Sequence, residues 1–343
     1  MLEFSGPINF LGPSPKAVEA VKQYAKFIKF YPDPNPVEFK EEIAKYVGQG
    51  VEEENIVLGN GSIELIYAIT EILSANFNSV IPIPSFSEYE KATIRVGGKA
   101  VFVQLPEDFS LDNERIKKAV TDDTKIICIC NPHSPSGKLY SKESVLELLD
   151  FCHKKDIIFS IDENYIEFAE KGEFTTLAGM INEYENLFVI RSVTKFYGMA
   201  GIRFGYGIAA KNLVNKLDAI RLPWSINGLA SFATLAAFND TEFIQNTKVI
   251  IAKEREMLAK GLQEISGLHV YPSVTNFLLV KIVSGKITST QLKDTLAKQR
   301  MLIRDCCTFM GMDDTYFRIT VRSAKDNQKL VQAIRQAMER TKN

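Results

Sequence analysis

One stretch of this sequence gathers the groups that chemistry on an amine and a phosphate would need. In RSVTKFYGMAGIRFGYG (191–207), Ser192 and Thr194 precede Lys195, and Arg203 follows between Gly201 and Gly205. Two hydroxyls, an ammonium and a guanidinium beside glycines suit a phosphate together with a reactive amine. A lone Ser-x-x-Lys also occurs in unrelated acyl-transfer enzymes, so the weight rests on the full string. Three further motifs accompany it. Asp162 closes the apolar run IIFSID, with Tyr165 just beyond. A carboxylate at the end of a buried strand is costly unless it meets a cation, and a protonated pyridine nitrogen would be one. Taken alone, Asp162 reads as an N-cap. GNGSIELIYAITEIL (59–73) sets Gly59, Asn60, Gly61 and Ser62 ahead of an amphipathic helix, and free N–H groups at such an N-terminus bind phosphate. NPHSPSG (131–137) puts Asn131 directly after the apolar run KIICIC. Each of these two motifs alone reads as a turn.

The elements that must carry these residues alternate. KIICIC (125–130), IIFSID (157–162), LFVIRS (187–192) and FGYGIA (204–209) read as buried parallel strands, short and almost continuously apolar. Between them, 141–154 (Val145, Leu148, Leu149, Cys152) and 211–221 (Leu213, Val214, Leu217, Ile220) have helical spacing. This rhythm predicts an α/β domain with a mainly parallel sheet, and all four motifs fall at strand ends or helix starts, where such sheets place ligands. The flanks differ. Ser14-Pro15 reads as a helix start, with Val18, Val21, Ala25 and Ile28 on one face. Strands at 274–282 and 316–321 and helices at 289–300 and 326–341 suggest a smaller α+β unit, with Leu330, Ile334 and Met338 facing its core. The expected division is a large domain over 31–230 and a small one from 1–30 and 231–343. The N-terminal helix is expected to pack with the small one, and a single long helix near 228–262 to join the two.

Composition narrows the classes. With 41 Lys+Arg against 42 Asp+Glu the net charge is -1, so no overall field attracts nucleic acid or an anionic membrane. At 343 residues with 45% hydrophobic and 24% charged, the chain is a globular one of about two domains, not a disordered one. No uncharged run is long enough for a membrane span, and MLEFSGPINF lacks the features of a signal peptide. Five cysteines without a CxxC, and only His133, His153 and His269, predict neither a disulfide framework nor a zinc site; a reducing cytoplasm fits. A nicotinamide site is excluded because Glu64 stands where GNGSIE would need its third glycine. A non-catalytic binding domain is disfavoured by the complete set of Lys195, Asp162 and Arg203.

Together the four motifs resemble the fold type I pyridoxal-phosphate enzymes of the aminotransferase class I/II superfamily, from FLGPSP (10–15) to the final helix. The resemblance implies a three-layer α/β fold with a mainly parallel central sheet and a smaller α+β domain, and pyridoxal 5'-phosphate as cofactor. It implies that Lys195 forms the Schiff base with the cofactor aldehyde. Asp162 would pair with the pyridinium nitrogen, while Asn131 and Tyr165 hydrogen-bond the phenolic oxygen. Ser192, Thr194 and Arg203, with the backbone at Asn60, Gly61 and Ser62, would hold the phosphate. Phe86, in PIPSFSEY, would stack on the ring. Tyr31, in FYPDP, resembles a tyrosine that reaches the phosphate of a neighbouring subunit, which implies a homodimer with shared sites.

Within the superfamily the sequence is similar to threonine-phosphate decarboxylases and histidinol-phosphate aminotransferases. TKFYGMAG (194–201), LPWSINGLA (222–230) and YFRITVRSAKDN (316–327) lean towards the decarboxylases. A substrate carrying carboxylate and phosphate needs guanidinium pairs. Arg318 and Arg322 are expected on one face of the last strand, with Arg304 nearby, and Arg318 resembles the carboxylate-binding arginine. The expected reaction is decarboxylation of a phosphorylated amino acid; the alternative is transamination with 2-oxoglutarate or glutamate. Three features depart from the pattern. His133 and Ser134 replace asparagines of Asn-Pro-Asn-Asn-Pro-Thr-Gly, Asn164 stands where alanine is commonest, and the opening MLEFSG shows no His-Gly-Gly segment of the decarboxylase kind.

Overall fold

The computed structural model describes residues 1–340 except Ser74, Lys171 and Lys286. Along the chain its strands are β1 (Leu2–Glu3), β2 (Ile56–Gly59), β3 (Asn78–Ile83), β4 (Lys99–Gln104), β5 (Thr124–Cys130), β6 (Ile158–Asp162), β7 (Leu187–Ser192), β8 (Gly205–Ala209), β9 (Leu268–Val270), β10 (Phe277–Ile282), β11 (Met301–Leu302), β12 (Arg304–Asp305) and β13 (Tyr316–Thr320). The central sheet has the order β2-β8-β7-β6-β5-β3-β4. Its pairs from β7 through β4 are parallel, and β8 alone runs against both its neighbours.

The apolar runs explain the layering. Successive side chains of a strand point to opposite faces. In β5, Ile127 and Ile129 enter one core while Ile126 and Cys128 enter another, and in β7 Leu187 and Val189 are separated in the same way from Phe188 and Ile190. Helices cover both faces, which gives three layers. The four strands expected from the sequence are all present, within a residue of their expected ends, but FGYGIA, read as a parallel strand, is corrected: as β8 it runs antiparallel to both β2 and β7, because the chain returns from the end of β7 without a helical crossover to the other end of the sheet.

A second, antiparallel sheet has the order β12-β13-β10-β9. Its core joins Phe4 to residues between Leu258 and Met338. The two ends of the chain meet here: β1 pairs with β11, and Thr320 N donates to Phe4 O at 2.8 Å.

Four further expectations are corrected. The join is two helices, Gly228–Phe238 and Thr241–Gln263, because Asp240 caps the second through Phe243 N–H and also accepts from Ser14 Oγ at 2.6 Å. The strand expected from 274 begins at Phe277, since Ser273 and Thr275 fold the preceding residues into a hydroxyl-bonded turn. The N-terminal helix, Pro15–Tyr24, buries Ala17 in the large core and stacks Tyr24 on Phe232 at 3.7 Å, whereas Val18 and Ile28 are exposed. It therefore packs on Gly228–Phe238, not on the second sheet. The closing helix is Ala324–Arg340; residue 341, included in the expected helix, lies outside the described residues.

Candidate active site

The site lies where β5, β6 and β7 end. Lys195 follows β7, and the N-terminal segment fixes its turn: Asn9 N donates to Lys195 O at 3.0 Å and Asn9 Nδ2 to Phe196 O at 2.8 Å. Lys195 is half-buried. Burial lowers its pKa to about 8, the charges of Arg318 and Arg203 push the same way, and Asp162 opposes them. Asp162 is buried at the end of β6. Its Oδ1 accepts from Asn164 N at 2.9 Å and its Oδ2 from the Tyr89 hydroxyl at 2.8 Å. Burial pushes the carboxyl up, and these donors, with Lys195, pull it back.

Tyr89 was not singled out from the sequence. With Ala92 and Thr93 it reads as one more buried position of the helix Glu88–Arg95; only the fold supplies its hydroxyl with Asp162. Phe86 sits at the lip of this region, 42% exposed, with its ring edge-on to Tyr89 at 5.9 Å.

The other side of the cleft is a cradle beside the helix Ser62–Glu71. Its N-cap, Gly61, has φ 82°, and no side chain caps it. A Cβ on Gly61 would lie 2.4 Å from Arg203 Nη2, and one on Gly205 would lie 2.4 Å from Ser62 N. Glycine is what lets the guanidinium and the helix start approach. Arg203 itself has φ 57°, and its Nη1 donates to Ala200 O at 3.0 Å. The expected backbone triplet is only partly free: Asn60 N–H goes to Glu64 Oε2 at 2.6 Å and Gly61 N–H to Gly59 O at 2.8 Å. Ser62 Oγ accepts from Asn164 Nδ2 at 3.0 Å, which ties the cradle to the end of β6. Ser192 is buried, and its Oγ accepts from Thr194 N at 3.4 Å.

Tyr165 is buried, with its ring edge-on to Phe277 at 5.1 Å. Asn131 Oδ1 accepts from Tyr140 N at 2.8 Å, while its Nδ2 is buried without a partner among the described residues. Arg318, on β13, is buried with its Cζ 5.0 Å from the Phe277 ring. Its Nη1 donates to Ser134 Oγ at 3.2 Å and its Nη2 to Ser5 O at 3.3 Å, and its Nε has no partner among the described residues. Arg304 stands directly opposite it in the β12–β13 register. Both guanidiniums flank the Phe309 ring, Arg304 at 5.2 Å and Arg318 at 5.9 Å.

Two expected residues are not brought to this cluster. Arg322 lies past the end of β13, bonded to Asp326 at 3.3 Å and to Glu3 O at 3.1 Å, so it is held by the meeting chain ends and is not paired with Arg318. Tyr31 is 84% exposed beside Trp224, in a groove shared with Tyr24, Phe27 and Phe30.

A phosphorylated pyridine aldehyde fits what remains. The buried Asp162 has oxygen lone pairs beyond those its two donors use, Asn131 Nδ2 is a donor without a partner among the described residues, Lys195 supplies an amine of lowered pKa, and a cationic cradle needs an anion. The pairing of Glu163 with Arg191 was also missed from sequence. Glu163 is wholly buried, one residue past Asp162, and accepts from Arg191 Nη2 at 2.9 Å, one residue before Ser192.

Comparison with known proteins agrees with this geometry. The model of the family "Aminotransferase class I and II" matches residues 4–334. A histidinol-phosphate aminotransferase of Methanosarcina mazei is 36% identical over 328 residues, covering 95% of this chain and 85% of its own. The crystal structure of the histidinol-phosphate aminotransferase from Clostridium acetobutylicum superposes with a TM-score of 0.92 at 33% identity, covering 99% of this chain and all of the other. That of L-threonine-O-3-phosphate decarboxylase from Porphyromonas gingivalis gives 0.87 at 27% identity, with 99% of this chain and 100% of its own covered.

Proposed function

This chain belongs to the aminotransferase class I and II family of pyridoxal-phosphate-dependent enzymes, and from that premise we propose that it decarboxylates a phosphorylated amino acid of the threonine-phosphate type. The observation that carries this reading is the Arg304–Arg318 pair. Directly opposed residues of antiparallel strands hold their Cβ atoms about 5 Å apart on one face. Such a pair suits two anions on one small molecule, a carboxylate on Cα and a phosphate a few bonds away.

When bound, pyridoxal phosphate supplies the sink for the electron pair left at Cα. Lys195 would hold its aldehyde, Asp162 its ring nitrogen, Tyr165 and Asn131 its phenolic oxygen, and Phe86 its ring face. Ser62, Ser192, Thr194 and Arg203 would hold its phosphate. Tyr89 and Asn164 fix the Asp162 carboxylate, so that a proton on the ring nitrogen is retained. Arg318 takes the substrate carboxylate and Arg304 its phosphate. The low pKa of Lys195 suits it to move a proton at Cα from its Nζ.

Transamination is the second reading, supported by the similarity to the two histidinol-phosphate aminotransferases. The test is to incubate the holoenzyme with threonine phosphate, and separately with histidinol phosphate plus 2-oxoglutarate. Carbon dioxide released in step with a phosphorylated amine is the expected result. Glutamate formed without carbon dioxide would replace the first reading by the second.

Further parts of this proposal concern assembly and place. Phe27, Ile28, Phe30, Tyr31 and Trp224 expose a contiguous apolar surface of a kind that monomers rarely leave open. A second copy covers it, and Tyr31 enters the partner's phosphate cradle. Sedimentation at micromolar concentration should give the mass of two chains; a single-chain mass would refute the shared site. The cytoplasm is the proposed compartment, supported by five free cysteines, four of them buried.

A further inference from the structure

Between the two sheets lies a small aromatic core that neither builds alone. On the face of the second sheet that carries Arg318, Tyr316 stands two residues before it and Leu279 directly across from it. Leu279 is buried there with Tyr271 and Cys306, and Phe109 joins them from the side of the central sheet. Phe109 lies in the loop 105–112 after β4. That loop is tied to its own side by Leu105 N, which donates to Ile83 O at 2.9 Å, and by Asp108, which pairs with Lys138 at 2.7 Å. The Phe109 ring is 5.0 Å from that of Tyr271 and 6.0 Å from that of His133, and the residue is 4% exposed. Its φ is 56°. Bulky side chains rarely adopt that conformation, and it persists where the surroundings over-determine it.

The turn 306–312 rests on this core. Phe309 and Met312 pack against it. A Cβ at Gly311 would overlap the Gln104 side chain and lie 3.1 Å from Ile83 Cδ1, so the turn also abuts the ends of β3 and β4. The same turn meets both arginines: Thr308 Oγ1 accepts from Arg304 Nη2 at 3.0 Å, and the Phe309 ring touches both guanidiniums.

We propose that Phe109 is a positioning residue for a substrate with two anions: by seating the turn 306–312 it fixes the separation of the Arg304 and Arg318 guanidiniums. The inference rests on the assignment of these arginines to a substrate phosphate and carboxylate. Protein cores are close-packed, and neighbours relax part of the way into a void. Phe309 is the neighbour whose shift both arginines follow. A ligand that spans the two guanidiniums is sensitive to their separation. A ligand with one anion is not, because a single guanidinium can follow it.

The test compares native, Phe109→Gly and Phe109→Leu holoenzymes. Glycine adopts a positive φ without strain, so Phe109→Gly keeps the path of the loop and removes only the ring. Spectral titration uses L-threonine phosphate, L-alanine, which has the carboxylate only, and 1-aminopropan-2-ol phosphate, which has the phosphate only. Phe109→Gly should weaken L-threonine phosphate about tenfold and each single-anion ligand by no more than about twofold, as a misplaced pair of contacts would. Its visible band should stay native, because the residues assigned to the cofactor lie elsewhere. Phe109→Leu refills most of the space and should stay within about threefold of native for all three ligands. Equal weakening of the three ligands by Phe109→Gly, or of none, would overturn the proposal, and so would loss of the visible band, which would make the role of Phe109 wholly structural. A native holoenzyme that binds L-threonine phosphate no more tightly than L-alanine would refute the substrate reading instead. The Phe109 test then reads on L-glutamate, which also carries two anions, against L-alanine by the same criterion.

Discussion

Lys195→Ala is expected to abolish the visible absorbance of the holoenzyme and to lower turnover by about 10⁴-fold or more, since covalent and proton-transfer roles are lost together. Lys195 stands among Asp162, Arg203 and Arg318, and their fields act on it strongly enough to matter. With a pKa of about 8, roughly one amine in ten is neutral at pH 7, against fewer than one in a thousand for an ordinary lysine. The neutral amine is the nucleophile. The rate at which the cofactor-free protein captures pyridoxal phosphate should therefore rise about tenfold per pH unit below 8 and level off above it. Stopped-flow capture between pH 6 and 10 measures this directly. A rate still climbing steeply above pH 9.5, or a Lys195→Ala protein that keeps the visible band, would contradict the assignment.

Glu163→Gln is expected to lower the unfolding free energy by about 3–5 kcal/mol, the cost of removing one partner from a buried ion pair. Glu163 accepts from Arg191 Nε at 3.1 Å, Arg191 Nη2 at 2.9 Å and Thr176 Oγ1 at 2.7 Å through one oxygen, and from Leu177 N at 3.1 Å through the other. Arg191 would keep its charge in an apolar core, where the nearby Glu167, whose own pKa burial raises to about 7, is a poor substitute. Urea unfolding at pH 7 should show the midpoint fall at unchanged slope. Arg191→Met added to Glu163→Gln should recover part of the loss, because the stranded charge goes with it. A loss under about 1 kcal/mol for the single variant would show that solvent reaches the pair. Since Asp162 and Ser192 are the chain neighbours of this pair, cofactor affinity should fall in parallel.

The central strands were legible because a strand covered on both faces must be apolar at almost every position, and KIICIC and LFVIRS are. Lys195, Asp162, Arg203 and Gly61 were legible because each is a reactive or permissive residue at a strand end or helix start. Tyr89, Ser134 and the Glu163–Arg191 pairing were not, because a tyrosine in a helix or a serine in a proline-rich loop carries no local mark of its partner. Arg322 shows the converse: its spacing from Arg318 matched a strand that in fact stops at Thr320, and Asp326 and Glu3 claim it. The break at Asn239–Asp240 was hidden by apolar spacing that runs through both helices; what decides it is a buried bond from Ser14, far away in the chain.

By itself, then, the sequence determined the family, the cofactor chemistry and the alternation that builds the sheet, because each is written in residue type and short-range spacing. Only the tertiary structure decided how Arg318 is held and which of its nitrogens is free, why Arg304 and not Arg322 stands opposite it, and what fixes Asp162. The hold on Arg318, the Tyr89 bond to Asp162 and the capture of Arg322 by Glu3 depend on hydrogen bonds between residues 73 to 319 positions apart, the Arg304–Arg318 opposition on the register of two strands, and no pattern along the chain encodes either.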